Sequence, residues 1–193
     1  MRTDRSAAAV YLTLALLVVI GVVGRWGQPD WSVTPLAAVG LLAGFVAPTL
    51  AWAIAAPLLA ITISNLLLPP YQNLAVGVTV YFAFAGSAVI GRLLRRPIGS
   101  WQTGLARLAA CAAAPAVLFY LTTNFAVWAT QGIYAKSLAG LTECYVAALP
   151  FFRQMLVGDL AYVAVLFTVA ALAGVYSLTP SARELEAEEP VTA

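Results

Sequence analysis

The sequence contains no histidine in 193 residues. That excludes imidazole ligation of haem, His-based metal sites, Ser–His nucleophilic arrangements and histidine proton relays. Cysteine is nearly absent too. The two present, Cys111 and Cys144, fit no metal-ligand spacing and read as small packing residues. Charge is scarce, at 9% of residues, where a soluble domain carries roughly 25%. The net charge of +2 is too small to gather nucleic acid. No H-E-x-x-H, G-x-S-x-G, phosphate-binding loop or paired aspartate signature occurs. The expectation is a protein that is not an enzyme, needs no cofactor or metal, and does not power transport through its own nucleotide hydrolysis.

What is present is apolar. Hydrophobic residues make up 62% of the chain, and the mean hydropathy is +0.91. A soluble core of this size cannot hide so much apolar surface, so lipid is the expected solvent. The fold class expected is all-α, an integral membrane bundle of about six transmembrane helices. Residues 1–180 form a single domain, and 181–193 form an acidic, disordered tail. Arg2 and Arg5 precede the first apolar run, 6–24, which is long and lacks a clear cleavage site. It reads as a retained helix, not a removed signal.

No charged residue occurs between Trp31 and Gly91, so breaks there must come from proline: Pro48 and the Pro69-Pro70 pair. The spans expected are 6–24, 35–47, 49–68, 74–91, 108–129 and 151–178. The second is only roughly 20 Å long by helix rise, so it either crosses incompletely or is shielded by neighbours. The segment 138–149 is apolar but too short to cross, and reads as a surface or re-entrant helix.

Lysine and arginine placement sets the orientation. With the N-terminus cytoplasmic and six crossings, Arg2, Arg5, Arg92, Arg95, Arg96, Arg107 and Arg183 lie inside, against Arg25, Lys136 and Arg153 outside. Both termini are then cytoplasmic, in the cytoplasmic (inner) membrane.

That topology gathers the polar residues on the outer side. Asp159, about two turns inside the last span, is the sharpest signal, because an ionised carboxylate facing lipid there costs a few kcal/mol. Its readings are a cavity ligand, an ion pair with Arg153 or Lys136, a carboxylate bonded to backbone amides, or a protonated carboxyl with a conformational or proton-linked role. Asn124 and Trp128 share a helix face and suit a ring-bearing ligand, or else an interhelical bond and the interfacial aromatic belt. Asn65, Glu143 and Tyr145 complete the candidate ligand-binding set. Glu143 and Arg153 read as an ion pair latching the outer face, or as a solvated surface pair. Trp26, Trp31 and Tyr71 read as belt aromatics. Gly40 with Gly44, and the alanine face including Ala109 and Ala113, read as internal packing or a partner face. Arg92, Arg95 and Arg96 read as topology signals and headgroup contacts.

Three ordered motifs carry a family resemblance: Thr122-Thr-Asn-Phe-Ala-Val-Trp128, Gly140-Leu-Thr-Glu-Cys-Tyr-Val-Ala-Ala-Leu-Pro-Phe-Phe152 and Gly158-Asp159-Leu. The stretches 33–44 and 63–67 fit the same pattern. Over residues 30–170 the chain resembles an uncharacterised family of small bacterial membrane proteins. That family in turn resembles the substrate-binding S components of energy-coupling factor (ECF) transporters. The resemblance implies six helices, cytoplasmic termini, an outward pocket for a vitamin-like small molecule, and partnership with a transmembrane coupling subunit and ATPases. Two departures stand out. The family pattern has an acidic residue where Asn65 stands, and the Ala-x-x-x-Ala docking motif is missing from the first helix. The alternative expectation is a membrane scaffold or accessory subunit of a larger complex.

Overall fold

The computed structural model describes residues 7–28, 32–71, 73–95 and 101–175. The expectations for Arg2, Arg5, Trp31, Arg96, Arg183 and the tail 181–193 lie outside the described residues. Six helices follow one another: α1 (Ala7–Trp26), α2 (Leu36–Val46), α3 (Leu50–Ser64), α4 (Leu74–Leu93), α5 (Trp101–Thr130) and α6 (Leu138–Leu172). The protein is all-α, and α1, α4, α5 and α6 are long and apolar enough to cross a membrane.

Helix starts follow local chemistry. Thr49 Oγ1 accepts from Trp52 N at 3.4 Å, Asn73 Oδ1 from Val76 N at 3.2 Å, and Ser137 Oγ from Gly140 N at 3.2 Å. Each satisfies an amide that has no partner inside its own helix.

The short helix is the centre of the molecule. All eleven residues of α2 are buried, and α2 touches each of the other five helices. The others form an arc in the order α1, α3, α4, α5, α6, and α1 and α6 do not meet. Pro35 and Pro48 bracket α2, and its eleven residues rise about 16 Å. A helix apolar on all sides is a buried helix. The second expected span is therefore shielded by its neighbours.

Close approach to α4 needs glycine. A Cβ on Gly40 would lie 1.8 Å from Ser87 Oγ, one on Gly44 2.1 Å from Ala88 O, and one on Gly91 2.2 Å from Leu41 O. The Gly40–Gly44 face is thus internal packing against α4. On α5, Ala112 and Ala116 are buried, Ala113 is half-buried and Ala109 is exposed.

Contacts fix the directions. Tyr11 and Trp52 rings meet at 5.3 Å, so α1 and α3 begin at one end. Phe45 and Phe167 meet at 6.0 Å, and Arg95 bonds the end of α2, so α2, α4 and α6 finish there. At the opposite end Trp26 Nε1 donates to Ser64 O at 3.1 Å, and Gly24 abuts Pro35. The helices thus alternate in direction, and Ala7 and Leu172 share one end.

The expected break before residue 151 does not occur: α6 is continuous from Leu138 through Pro150 to Leu172. There is no separate surface helix over 138–149. A proline removes one ladder bond, and neighbouring helices make this tolerable in a membrane. Tyr120 also donates its hydroxyl to Tyr145 O at 2.7 Å, which ties α5 to α6 beside the Val146 carbonyl whose ladder bond Pro150 removes. Tyr145 returns a bond to Leu121 O, also at 2.7 Å. Helix α5 likewise begins at Trp101, earlier than the expected 108, and carries Pro115 inside it.

Candidate functional site

A cavity of about 410 Å³ lies over the N-terminal end of α2. Its floor is Ala37. Thr34 and Ser32 of the α1–α2 connection close one side, and Pro69, Pro70, Tyr71 and Asn73 of the α3–α4 connection another. Val76, Val80 and Phe84 of α4 and Phe119 of α5 give apolar wall, with the Phe84 and Phe119 rings 5.6 Å apart. Arg25, at the end of α1, and Asp159, on α6, bring charge-bearing groups to the same cavity. Ligand cavities are typically about 300–1,000 Å³, mostly apolar with a few placed polar groups.

Asp159 is only 4% exposed. Among the described residues its carboxyl accepts no hydrogen bond and forms no ion pair. The neighbouring Gly158 brings α6 against the α1–α2 connection, since a Cβ there would lie 2.9 Å from Val33 Cγ1. Neither bland reading of this carboxyl holds: it has no cationic partner and takes no backbone amide. Arg153, six positions back on the helix, is exposed, and Lys136 donates to Trp128 O instead.

Arg25 is held differently. Its Nη1 donates to Ser64 Oγ at 2.8 Å and to Asn65 Oδ1 at 2.5 Å, and its Nη2 to Tyr71 OH at 3.2 Å. Asn65 Nδ2 in turn donates to Tyr81 OH at 3.2 Å. The ends of α1, α3 and α4 thus fix one guanidinium, and every partner is neutral. Burial pushes the Tyr71 phenol above its usual pKa, and the Arg25 charge partly offsets this, so Tyr71 keeps its proton.

The head of α2 also faces this space. The first amide in its ladder is Val39 N, donating to Pro35 O at 2.8 Å, and Pro35 offers no side-chain cap. The amides of Leu36, Ala37 and Ala38 stand at a helix N-terminus, which carries partial positive charge.

The residues singled out from sequence are dispersed. Asp159 lines the cavity, and Asn65 stands behind it, orienting Arg25. Asn124 lines an adjoining pocket of about 220 Å³ that shares Ser32, Phe119 and Met155 with the main one, and its amide donates back to Tyr120 O at 2.8 Å. Tyr145 stitches α6 to α5 and borders an outer groove. Trp128 Nε1 donates to Ala135 O at 2.9 Å, and Lys136 Nζ sits 5.5 Å over its ring, so the pair closes the α5–α6 turn. Gly132, at φ +69°, makes that turn possible. Glu143 and Arg153 are exposed and ten positions apart on one helix, about 15 Å by rise, too far to pair as a latch. Among the described residues no group of three or more Cys, Asp or Glu side chains gathers to hold a metal, and both cysteines are buried and free.

Arg25 and Tyr71 do not stand out as site residues in the sequence, where Arg25 reads as a topology charge and Tyr71 as a belt aromatic. A signal was available: six crossings put Arg25 at the same end as the Ser64-Asn65 pair and the loop carrying Tyr71.

The four long apolar helices point to a multi-pass membrane protein built around one short central helix. The chain belongs to a family of unknown function, DUF6580, whose model matches residues 5–182. No curated protein and no solved structure matches the chain.

Proposed function

We propose that the protein captures a small molecule from the outer side of the cytoplasmic membrane, as an S-component-like subunit of a transporter, without catalysis of its own. One observation carries this reading: Asp159 is buried without a partner in the wall of a ligand-sized cavity. A buried polar group left without a hydrogen-bond partner costs about 1–3 kcal/mol. Chains depart from internal consistency in this way where function demands it. A bound ligand supplies the missing partner.

The lysine and arginine distribution supports six crossings with both termini cytoplasmic, which opens the cavity outward. The alternating helix directions agree with an even number of crossings. The ligand would be vitamin-like in size, and a membrane coupling subunit with ATPases would drive its release. The scaffold alternative loses one of its supports, because the Gly40–Gly44 face is consumed by α4.

Native mass spectrometry of gently purified protein, followed by small-molecule identification after denaturation, tests the proposal. The expected result is a stoichiometric compound that disappears in Asp159→Asn while the folded mass remains. A ligand retained by Asp159→Asn, or a stable complex with a membrane partner and an empty cavity, would overturn it.

A further inference from the structure

The geometry points to a zwitterionic ligand, an amphoteric small molecule whose cationic end meets Asp159 and whose anionic end meets Arg25. This rests on the capture reading and deepens it by naming the chemical class.

The argument begins with unspent hydrogen-bonding capacity. A carboxylate offers about four lone-pair sites, and those of Asp159 have no donor among the described residues. A guanidinium has five N–H donors. Arg25 uses three, on Ser64, Asn65 and Tyr71, all neutral. Its Nε and one Nη2 hydrogen remain without a partner among the described residues. Both residues border one cavity, yet they form no ion pair with each other. A carboxyl without a partner and a guanidinium with donors to spare, lining one chamber without reaching each other, are satisfied together by a molecule carrying both complements.

The alternatives fit less well. A purely cationic ligand satisfies Asp159 but leaves Arg25 facing a second positive charge. A purely anionic ligand suits Arg25 but meets the carboxylate of Asp159. The cavity also has a defined polarity. The head of α2 lies beside Arg25, because Pro35 packs on Gly24, so helix-end amides reinforce the positive pole. Neutral Tyr71 adds a hydroxyl at that pole. Between the poles, Val80, Phe84 and Phe119 give apolar wall for a carbon skeleton.

The test uses the full chain in detergent or nanodiscs. Equilibrium binding is measured for ω-amino acids from glycine to ε-aminocaproate, each beside the alkylamine and the alkanoate of the same length. The expected result is that one ω-amino acid binds at least about tenfold more tightly than either single-charge analogue. That preference is lost in Asp159→Asn and Arg25→Gln and partly restored in Arg25→Lys. Because Arg25 also ties α1 to α3, the melting midpoint of each variant is recorded, and Arg25→Lys keeps the test valid if Arg25→Gln does not fold. An alkylamine binding as tightly as its amino acid would overturn the inference, as would a series in which nothing binds. A co-purified, Asp159-dependent ligand with one charge or none would overturn it too, while leaving the capture reading standing.

Discussion

The two ends of α2 are built in opposite ways. At its C-terminal end Arg95 Nε donates to Gly44 O at 3.0 Å, and Arg95 Nη2 bonds Ala47 O. Glycine contacts with α4 lock that end. At its N-terminal end no side chain caps the helix, a cavity opens, and a carboxyl without a partner lines it. Buried helix ends are ordinarily satisfied, so the difference is informative. At one end Arg95 satisfies the helix carbonyls, although Arg92 in the last turn of α4 keeps Nε and Nη2 buried without a partner among the described residues. At the other the helix head and the Asp159 carboxyl are left open to a cavity, which is what a binding site requires.

Substitutions at the satisfied end should harm folding most. Gly44→Ala places a methyl 2.1 Å from Ala88 O, with Gly91 Cα 2.9 Å away. A loss of about 3 kcal/mol in detergent unfolding is expected. A wild-type melt would break the claim that α2 and α4 touch backbone to backbone. Arg95→Ala leaves two carbonyls of the buried helix end without a donor. It should cost about 2 kcal/mol and leave ligand affinity unchanged, as a melt paired with a binding isotherm checks.

Smaller effects sharpen the contrast. Tyr145→Phe removes one bond to Leu121 O, so about 1 kcal/mol should go from stability with no change in ligand retention. Retention lost in Tyr145→Phe would return that residue to the binding site. Glu143→Gln and Arg153→Gln, both exposed, should each shift stability by less than about 0.5 kcal/mol, and the double variant should show no coupling.

Much of this was legible in the sequence, for identifiable reasons. The spans of α1 and α4 stand out because arginine marks their ends, at Arg25 and Arg92. Asp159 stands out because a carboxyl amid aliphatic residues is anomalous wherever it points. The central position of α2 was not legible. A helix apolar on every side names no preferred face, and only its shortness hinted at burial. Pro150 misled because proline is read as a stop, whereas packing from α5 carries the helix through it. Asn124, Trp128, Glu143 and Tyr145 group together in the sequence because they share a level in the bundle. Level is set by sequence position, but entry into a cavity is set by rotation about the helix axis and by neighbours. Arg25 is inconspicuous in the sequence for the converse reason: its value as a topology marker conceals its hydrogen bonds.

The most direct test of the central claim compares the stability of wild type and Asp159→Asn, both stripped of ligand. If Asp159 is retained for binding, Asp159→Asn should melt at or above the wild-type midpoint, since it removes an uncompensated buried carboxyl. A midpoint that falls as far as that of Arg95→Ala would contradict the account and make Asp159 part of the fold.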